Sequence, residues 1–221
     1  LQKLSDHTQN RLRAESECLS AMPASEKLHI AHLSSLEGLK RMPESATSEV
    51  CPHHLLLSLD SCDSLDCKVD PPLRSRNDNN VLYQAFREGT IPILASDHAP
   101  HCAHEKDVEF DYAPFGITGL ETGLALSLTQ LYHTKHLTLS DLISKYTVNP
   151  AKLLNLPKGT LTEGSDADVT VFDPDAEWVF DVNASPSKSS NTPFNGWTLK
   201  GRPACTIVNG KIAWQTEQVP A

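Results

Sequence analysis

The chain has 221 residues and a formal net charge of -9, from 19 basic against 28 acidic side chains. That is long enough to bury a core and too acidic to engage nucleic acid through charge. No stretch approaches the ~18 consecutive apolar residues that a membrane-spanning helix needs, so no membrane role is predicted.

Six cysteines (Cys18, Cys51, Cys62, Cys67, Cys102, Cys205) are scattered without a repeated CxxC spacing. A chain of this size does not depend on disulfides, so they are expected as reduced thiols of a cytoplasmic protein. Cys51, His53, His54, Cys62 and Cys67 cluster in sequence, but their spacing matches no common structural zinc pattern. The sequence opens Leu1-Gln2-Lys3 with neither an initiator methionine nor a signal segment, and is expected to be a fragment or a processed piece.

From about residue 8 to residue 158, helical stretches alternate with short apolar runs, which predicts βα units and a parallel sheet. The first run is Leu28 to His32, after which Ser34 and Glu37 form a capping box for a helix. A second strand is expected over Ser48 to Cys51, then a loop rich in Asp, Ser and Cys to about residue 68. Asn79 or Asn80 is expected to cap a helix carrying Val81, Leu82, Ala85 and Phe86, with Gly89 at its C-terminal stop. Thr90 to Ser96 reads as the third strand. Helices then follow through Leu120, Leu124, Leu128 and Leu131, from Ser140 through Tyr146, and from Asn149-Pro150 to Leu156.

After Gly159 the pattern becomes β-rich: residues 168–172, 178–180, 205–208 and 211–214, with Asn209-Gly210 between the last two as a hairpin signal. This predicts a small all-β unit over residues 159–221, with Trp178, Trp197 and Trp214 filling its core. Ser185 to Thr192 is Ser-rich and is read as a solvated loop; Asn183-Ala184-Ser185 matches the N-glycosylation pattern but is not expected to be modified in a cytoplasmic protein.

Side-chain alternation places Leu28, Ile30 and His32 on one strand face, and Ile91, Ile93, Ala95 and Asp97 on another. Each strand then ends, on its apolar face, in a residue able to bind a metal, while His29 points the other way toward a covering helix. In a closed (β/α) barrel the C-terminal strand ends form the active-site mouth. A histidine and an aspartate converging there suit zinc or a similar divalent ion. The bland alternative is an aspartate capping its loop and a histidine held by a carbonyl.

The segments "HIAHLSS" (29–35), "EVCPHHLLL" (49–57), "PPLRS" (71–75), "DHAPH" (97–101) and "APFGITGLET" (113–122) resemble the signature regions of dihydroorotases, zinc enzymes of the amidohydrolase superfamily. Residues 149–178 and 188–202 resemble the family's later segments, so the likeness runs through the chain in order. It implies the C-terminal half of a TIM (β/α) barrel over residues 1–158 followed by a β-sandwich domain over 159–221. It also implies that His32 is a metal ligand from the sixth barrel strand, and that Asp97 is a metal ligand from the eighth and the catalytic acid/base. His101 would bind a substrate carboxylate, and the backbone at Phe115 and Gly116 would contact the ring. The implied reaction interconverts N-carbamoyl-L-aspartate and L-dihydroorotate in pyrimidine biosynthesis with Zn2+ as cofactor, in a homo-oligomer or a complex with aspartate transcarbamoylase.

The sequence departs from the family pattern in two places. The family's substrate-binding asparagine is Asp70 here, which cannot donate an amide N–H and repels an anionic substrate unless neutralised, for instance by Arg74 or Arg76. The first-strand His-x-His-x-x-Arg motif and the middle-strand ligands are absent from the chain, and His7 lies in the wrong context to replace them. About 150 residues of barrel pattern against about 250 in a typical barrel predict a C-terminal part that is inactive alone. The rival readings are an allantoinase or dihydropyrimidinase, and a non-catalytic dihydroorotase-like subunit. His53 and His54 follow a strand end near the mouth and could line the site, but structural hydrogen bonding is the favoured expectation for both, and Cys102 is expected to be a small spacer.

Overall fold

The computed structural model describes residues 2–22, 28–62 and 64–216. Its contacts divide the chain into two units, Leu1–Glu121 with Asp181–Asn195, and Thr122–Phe180 with Gly196–Ala221. Among the described residues no helix is long and apolar enough to cross a membrane.

The first unit is α/β. Helix α1 (Gln2–Ala21) precedes strand β1 (His29–Ile30), helix α2 (Leu36–Arg41), strand β2 (Thr47–Val50), helix α3 (Pro52–Leu56), helix α4 (Arg76–Glu88), strand β3 (Ile93–Leu94) and the short helix α5 (Ala103–Lys106). The three strands form a parallel sheet in the order β1-β2-β3, with His29 opposite Thr47 and Glu49 opposite Ile93. Parallel neighbours need crossover connections, and α2 and then α3 with α4 supply them. Ile30, Val50, Ile93 and Leu94 from the sheet are buried, as are Leu73, Leu82, Phe86 and Ile91 around it. Each such side chain contributes about 1.5–3 kcal/mol by leaving water.

The strands are shorter than their apolar runs suggest. The run at 28–32 is β-paired only over His29–Ile30, and the run at 90–96 only over Ile93–Leu94. In both cases the chain then turns through a left-handed residue, His32 (φ 54°) and Asp97 (φ 47°). Helix starts also move. Ser35 rather than Ser34 caps α2, its hydroxyl accepting from Gly38 N. Ser75 and Asp78 form the capping box of α4, so Asn79 lies inside the helix, where its Nδ2 donates to the carbonyls of His54 and Leu57. Gly89 stops α4 in the left-handed conformation (φ 87°), as expected.

Cys62 and Cys67 form a disulfide with Cα atoms 6.1 Å apart, which corrects the expectation of six reduced thiols. Two 3-10 turns, Leu59–Ser61 and Leu65–Cys67, fold this segment back on itself and bring the pair together.

The second unit opens with helix α6 (Gly123–Ser127), which runs into a π-helical turn over Leu128–Tyr132, followed by helices α7 (Leu139–Tyr146) and α8 (Val148–Leu153). Strands β4 (Val169–Val179), β5 (Thr198–Val208) and β6 (Lys211–Gln215) form one antiparallel sheet, with Asn209-Gly210 turning β5 into β6 as predicted. Among the described residues this unit has a single sheet rather than the two of a sandwich. Val179, Ile212 and Trp214 consequently remain exposed, and Trp178 and Trp197 are only half-buried. Trp178 instead donates from Nε1 to Gly201 O at 3.1 Å and lies under the Arg202 guanidinium. The buried anchor of the sheet is Leu199. Gly201 (φ 96°) sits against Leu128, where a Cβ would collide.

Candidate active site

His32 and Asp97 meet where β1 and β3 end. His32 Nε2 lies 3.6 Å from Asp97 Oδ1, too long for a good hydrogen bond. Two ligands each about 2.0–2.1 Å from one tetrahedral ion stand ~3.3 Å apart, close to this spacing. Both residues occupy left-handed backbone positions that cost non-glycine residues about 1–3 kcal/mol, and such strain gathers at functional sites. These two turns, rather than the strand faces, bring the side chains together.

Strand β2, lying between the other two, contributes residues that sequence reasoning did not single out. Glu49 Oε1 is 3.1 Å from His32 Nδ1, and its Oε2 is 3.3 Å from His29 Nε2. His29 therefore reaches across the sheet to β2 instead of facing a helix, and its Nδ1 is 2.8 Å from Thr47 Oγ1. Cys51 Sγ is 3.3 Å from His32 Nδ1. His53, expected to be structural, has its buried Nε2 3.5 Å from Asp97 Oδ2 and without a hydrogen-bond partner. His54 does take the structural role, with Nε2–H donating to Pro71 O at 2.8 Å. The signal for His53 was its place just after the end of a strand, which allowed it to line the site; it stands in the first turn of α3, immediately beyond β2.

Among the described residues two groups of side chains could hold a metal ion, His32 with Cys51 and Asp97, and Cys51 with His53 and His54. Nitrogen and oxygen donors suit zinc, and the orphaned Nε2 of His53 beside Asp97 marks a buried polar position awaiting a partner. Burial, reinforced by Asp97 and Glu49, raises the Cys51 thiol well above its ordinary value, which keeps it protonated. Burial also raises the Asp97 carboxyl, with His32 opposing and the Glu49 and Asp70 charges assisting. The His32 imidazole is raised by its hydrogen bond to Glu49, with burial opposing and Asp97 assisting. Burial drives His53 well below the ordinary histidine value, so it is neutral.

Asp70 is neutralised by neither Arg74 nor Arg76, the candidates named from sequence. Its Oδ1 accepts from Arg11 of α1 at 2.5 Å. Arg74 is buried and committed to Glu15, Ser34 Oγ and the Thr8 carbonyl.

His101, Phe115 and Gly116 come together through the loop rather than through the His32–Asp97 pair. His101 Nε2–H donates to Phe115 O at 2.8 Å, and the Phe115 ring lies over the Lys68 ammonium. Gly116 (φ 144°) passes so close to Ala99 that a Cβ would lie 2.5 Å from the Ala99 Cβ. Asn191, buried, staples this arrangement by donating from Nδ2 to Ala99 O and Gly116 O and accepting from His101 N. Nothing in the "SSNTP" segment had marked Asn191 as more than part of a loop.

The chain matches the amidohydrolase family model over residues 24–213. The chain belongs to the amidohydrolase family. It is 46% identical over 198 residues to a dihydroorotase of Syntrophus aciditrophicus, covering 86% of this chain and 46% of the relative. A dihydroorotase of Acetivibrio thermocellus is 44% identical over 193 residues, with 84% and 45% coverage. This amidohydrolase chain thus spans about half the length of the relatives it matches. Among solved structures, a dihydropyrimidinase from Brevibacillus agri superposes with a TM-score of 0.85 at 20% identity, over 97% of this chain and 55% of that one. An L-hydantoinase from Arthrobacter aurescens superposes with a TM-score of 0.78 at 30% identity, over 88% of this chain and 46% of that one.

Proposed function

We propose that this chain supplies the C-terminal half of the active site of a zinc-dependent dihydroorotase. The reading covers the barrel-derived part over residues 1–158 and the β-rich part over 159–221. The observation that carries it is the convergence of His32 Nε2 and Asp97 Oδ1 at 3.6 Å, in a chain 46% identical to a dihydroorotase. His32 and Asp97 would hold the metal. When bound, zinc polarises the amide carbonyl and lowers the pKa of the attacking water.

Asp97 then does the proton work. In ring opening it accepts the proton of the attacking water and delivers it to the departing nitrogen, and closure reverses both transfers. His53 faces the other carboxylate oxygen and would hold Asp97 in place. His101 and the backbone at Phe115 and Gly116 form the substrate-binding loop. His101 has its Nε2 committed to Phe115 O, so it would meet a substrate carboxylate through Nδ1 or by exchanging that bond. With Cys51 held as a thiol, His32 and Asp97 are two ligands against the three or four of usual zinc sites, and in this reading the remaining ligands come from outside this chain and the chain alone is inactive.

A second reading, a dihydropyrimidinase or hydantoinase, draws on the likeness to the Arthrobacter aurescens L-hydantoinase at 30% identity and on Asp70 at the family's asparagine position. The test is zinc content and turnover of dihydroorotate, dihydrouracil and hydantoin by the protein at its full natural length, beside Asp97→Asn. Zinc-bound protein that hydrolyses dihydroorotate, and loses about 10²–10⁴-fold in the variant, supports the first reading. Preference for dihydrouracil or hydantoin supports the second, and a folded protein without metal or turnover defeats both.

A further inference from the structure

We propose that Glu49 is a positioning residue for this site: it holds His32 by Nδ1–H, so that Nε2 faces Asp97 with its lone pair free. The inference rests on His32 as a metal ligand, the reading given above. Glu49 occupies the middle strand of the parallel sheet, with β1 on one side and β3 on the other. Its two oxygens serve two histidines, Oε1 at 3.1 Å from His32 Nδ1 and Oε2 at 3.3 Å from His29 Nε2. An ionised carboxylate only accepts, so both imidazoles must present N–H groups to it. For neutral His32 this fixes the tautomer: the proton sits on Nδ1, and Nε2 is left bare at 3.6 Å from Asp97 Oδ1.

Glu49 also holds the turn that carries His32. Its carbonyl accepts from Leu33 N at 3.0 Å, so one residue secures both the ring and the left-handed backbone on which the ring stands. The far side is buttressed in turn. With His29 donating from Nε2, its Nδ1 accepts from Thr47 Oγ1 at 2.8 Å, which fixes the second histidine against the same carboxylate. The competing partner for His32 Nδ1 is the Cys51 thiol, whose Sγ is 3.3 Å away. If the thiol donated, Nδ1 would accept, Nε2 would carry the proton, and His32 could not ligate through Nε2. A charge-assisted N–H to carboxylate bond is the stronger of the two, so the Glu49 tautomer prevails. Carboxylates that hold a ligating histidine from behind tune metal affinity by about 10–100-fold.

The experiment uses the protein at its full natural length, labelled with 15N-histidine and stripped of metal, with the His32 signals assigned by their loss in His32→Asn. Tautomers are read from long-range proton–nitrogen couplings, and zinc affinity from competition with a chelator. Wild type is expected to show Nδ1–H at His32. Glu49→Leu, which removes the acceptor, is expected to scramble the tautomer and weaken zinc about 10–100-fold. Glu49→Gln keeps an acceptor without the charge, so it is expected to retain most of the tautomer and to bind zinc between the two. Should Glu49→Leu fail to fold, Glu49→Gln against wild type carries the test. Wild-type zinc affinity in both variants overturns the proposal, as does an unchanged His32 tautomer in Glu49→Leu or a tautomer that responds to Cys51→Ser instead. If the wild-type protein takes up no zinc, the proposed function fails, while the His32 tautomer in Glu49→Leu still decides whether Glu49 orients the ring.

Discussion

Arg11 donates to the carboxylate of Asp70 at 2.5 Å, across 59 residues of sequence. The pair restores neutrality at the position where dihydroorotases, as the sequence resemblance implies, place a neutral asparagine. Both side chains are partly exposed, so the pair contributes only about 0.2–1 kcal/mol to stability. Its effect on an anionic substrate is separable from stability. Arg11→Met leaves Asp70 charged and is expected to raise KM for dihydroorotate about fivefold at low salt, with kcat little changed. Adding Asp70→Asn should return KM toward wild type. Steady-state kinetics of wild type and the two variants check this, and an unchanged KM in Arg11→Met would show that the charge is not felt at the substrate.

His53 stands 3.5 Å from Asp97 Oδ2, neutral and without another partner at Nε2. His53→Leu preserves much of the packing and removes the donor. It is expected to lower kcat about 10–100-fold with KM nearly constant, because the loss falls on the group that moves the proton. His53→Gln, which can still reach Asp97 with an N–H, should recover part of the loss. A His53→Leu enzyme with wild-type kcat would assign His53 to packing alone.

His54 supplies a pH dependence with a definite sign. Burial depresses its folded pKa to about 4, while Nε2–H is held by the Pro71 carbonyl and the buried Nδ1 lacks a partner. Protonating Nδ1 would put an unpaired N–H and a charge into the interior. The unfolded chain, near the ordinary pKa of about 6.5, binds this proton first. Stability is therefore full above about pH 6.5 and falls with acidification at up to ~1.4 kcal/mol per pH unit until the folded pKa is reached. Urea unfolding midpoints at pH 7 and pH 5 should differ more in wild type than in His54→Gln, which cannot titrate. Equal pH slopes in the two proteins would contradict this account.

Asn191 fastens the loop that carries His101 and Gly116 through three hydrogen bonds of its buried amide. Asn191→Leu leaves three facing backbone groups without their partners and is expected to cost about 3 kcal/mol or more, at ~1–3 kcal/mol for each group left unsatisfied. Gly116→Ala strains the same loop, since its Cβ would meet Ala99 and φ is 144°. Thermal unfolding should show a loss in both variants, and a loss in neither would mean that the loop is held elsewhere.

Alternating helical and apolar segments, the Gly89 stop and the Asn209-Gly210 turn are local features, and their residue types carried them into the structure intact. Helix starts were less legible because several Ser, Asp and Asn residues in a row can each cap, and only packing selects among them. Ser35 and Ser75 prevailed over Ser34 and Asn79 where the latter two were drawn into contacts with Arg74 and with the His54 and Leu57 carbonyls. The tryptophans misled for a similar reason. Apolar composition predicts burial only where a second layer exists, and the described residues of the second unit hold one sheet, leaving Trp214 half exposed.

The sequence by itself determined the family, the parallel α/β pattern and the identity of His32 and Asp97 as the pair to examine, because motifs and periodicity are properties of neighbours along the chain. Tertiary structure alone decided what surrounds that pair. Glu49 reaches it from the strand lying between β1 and β3, His53 from the helix that follows that strand, and Arg11 reaches Asp70 from a helix 59 residues away. Side-chain reach across a sheet depends on strand order and register, and these are set by the burial of the whole layer rather than by any local stretch.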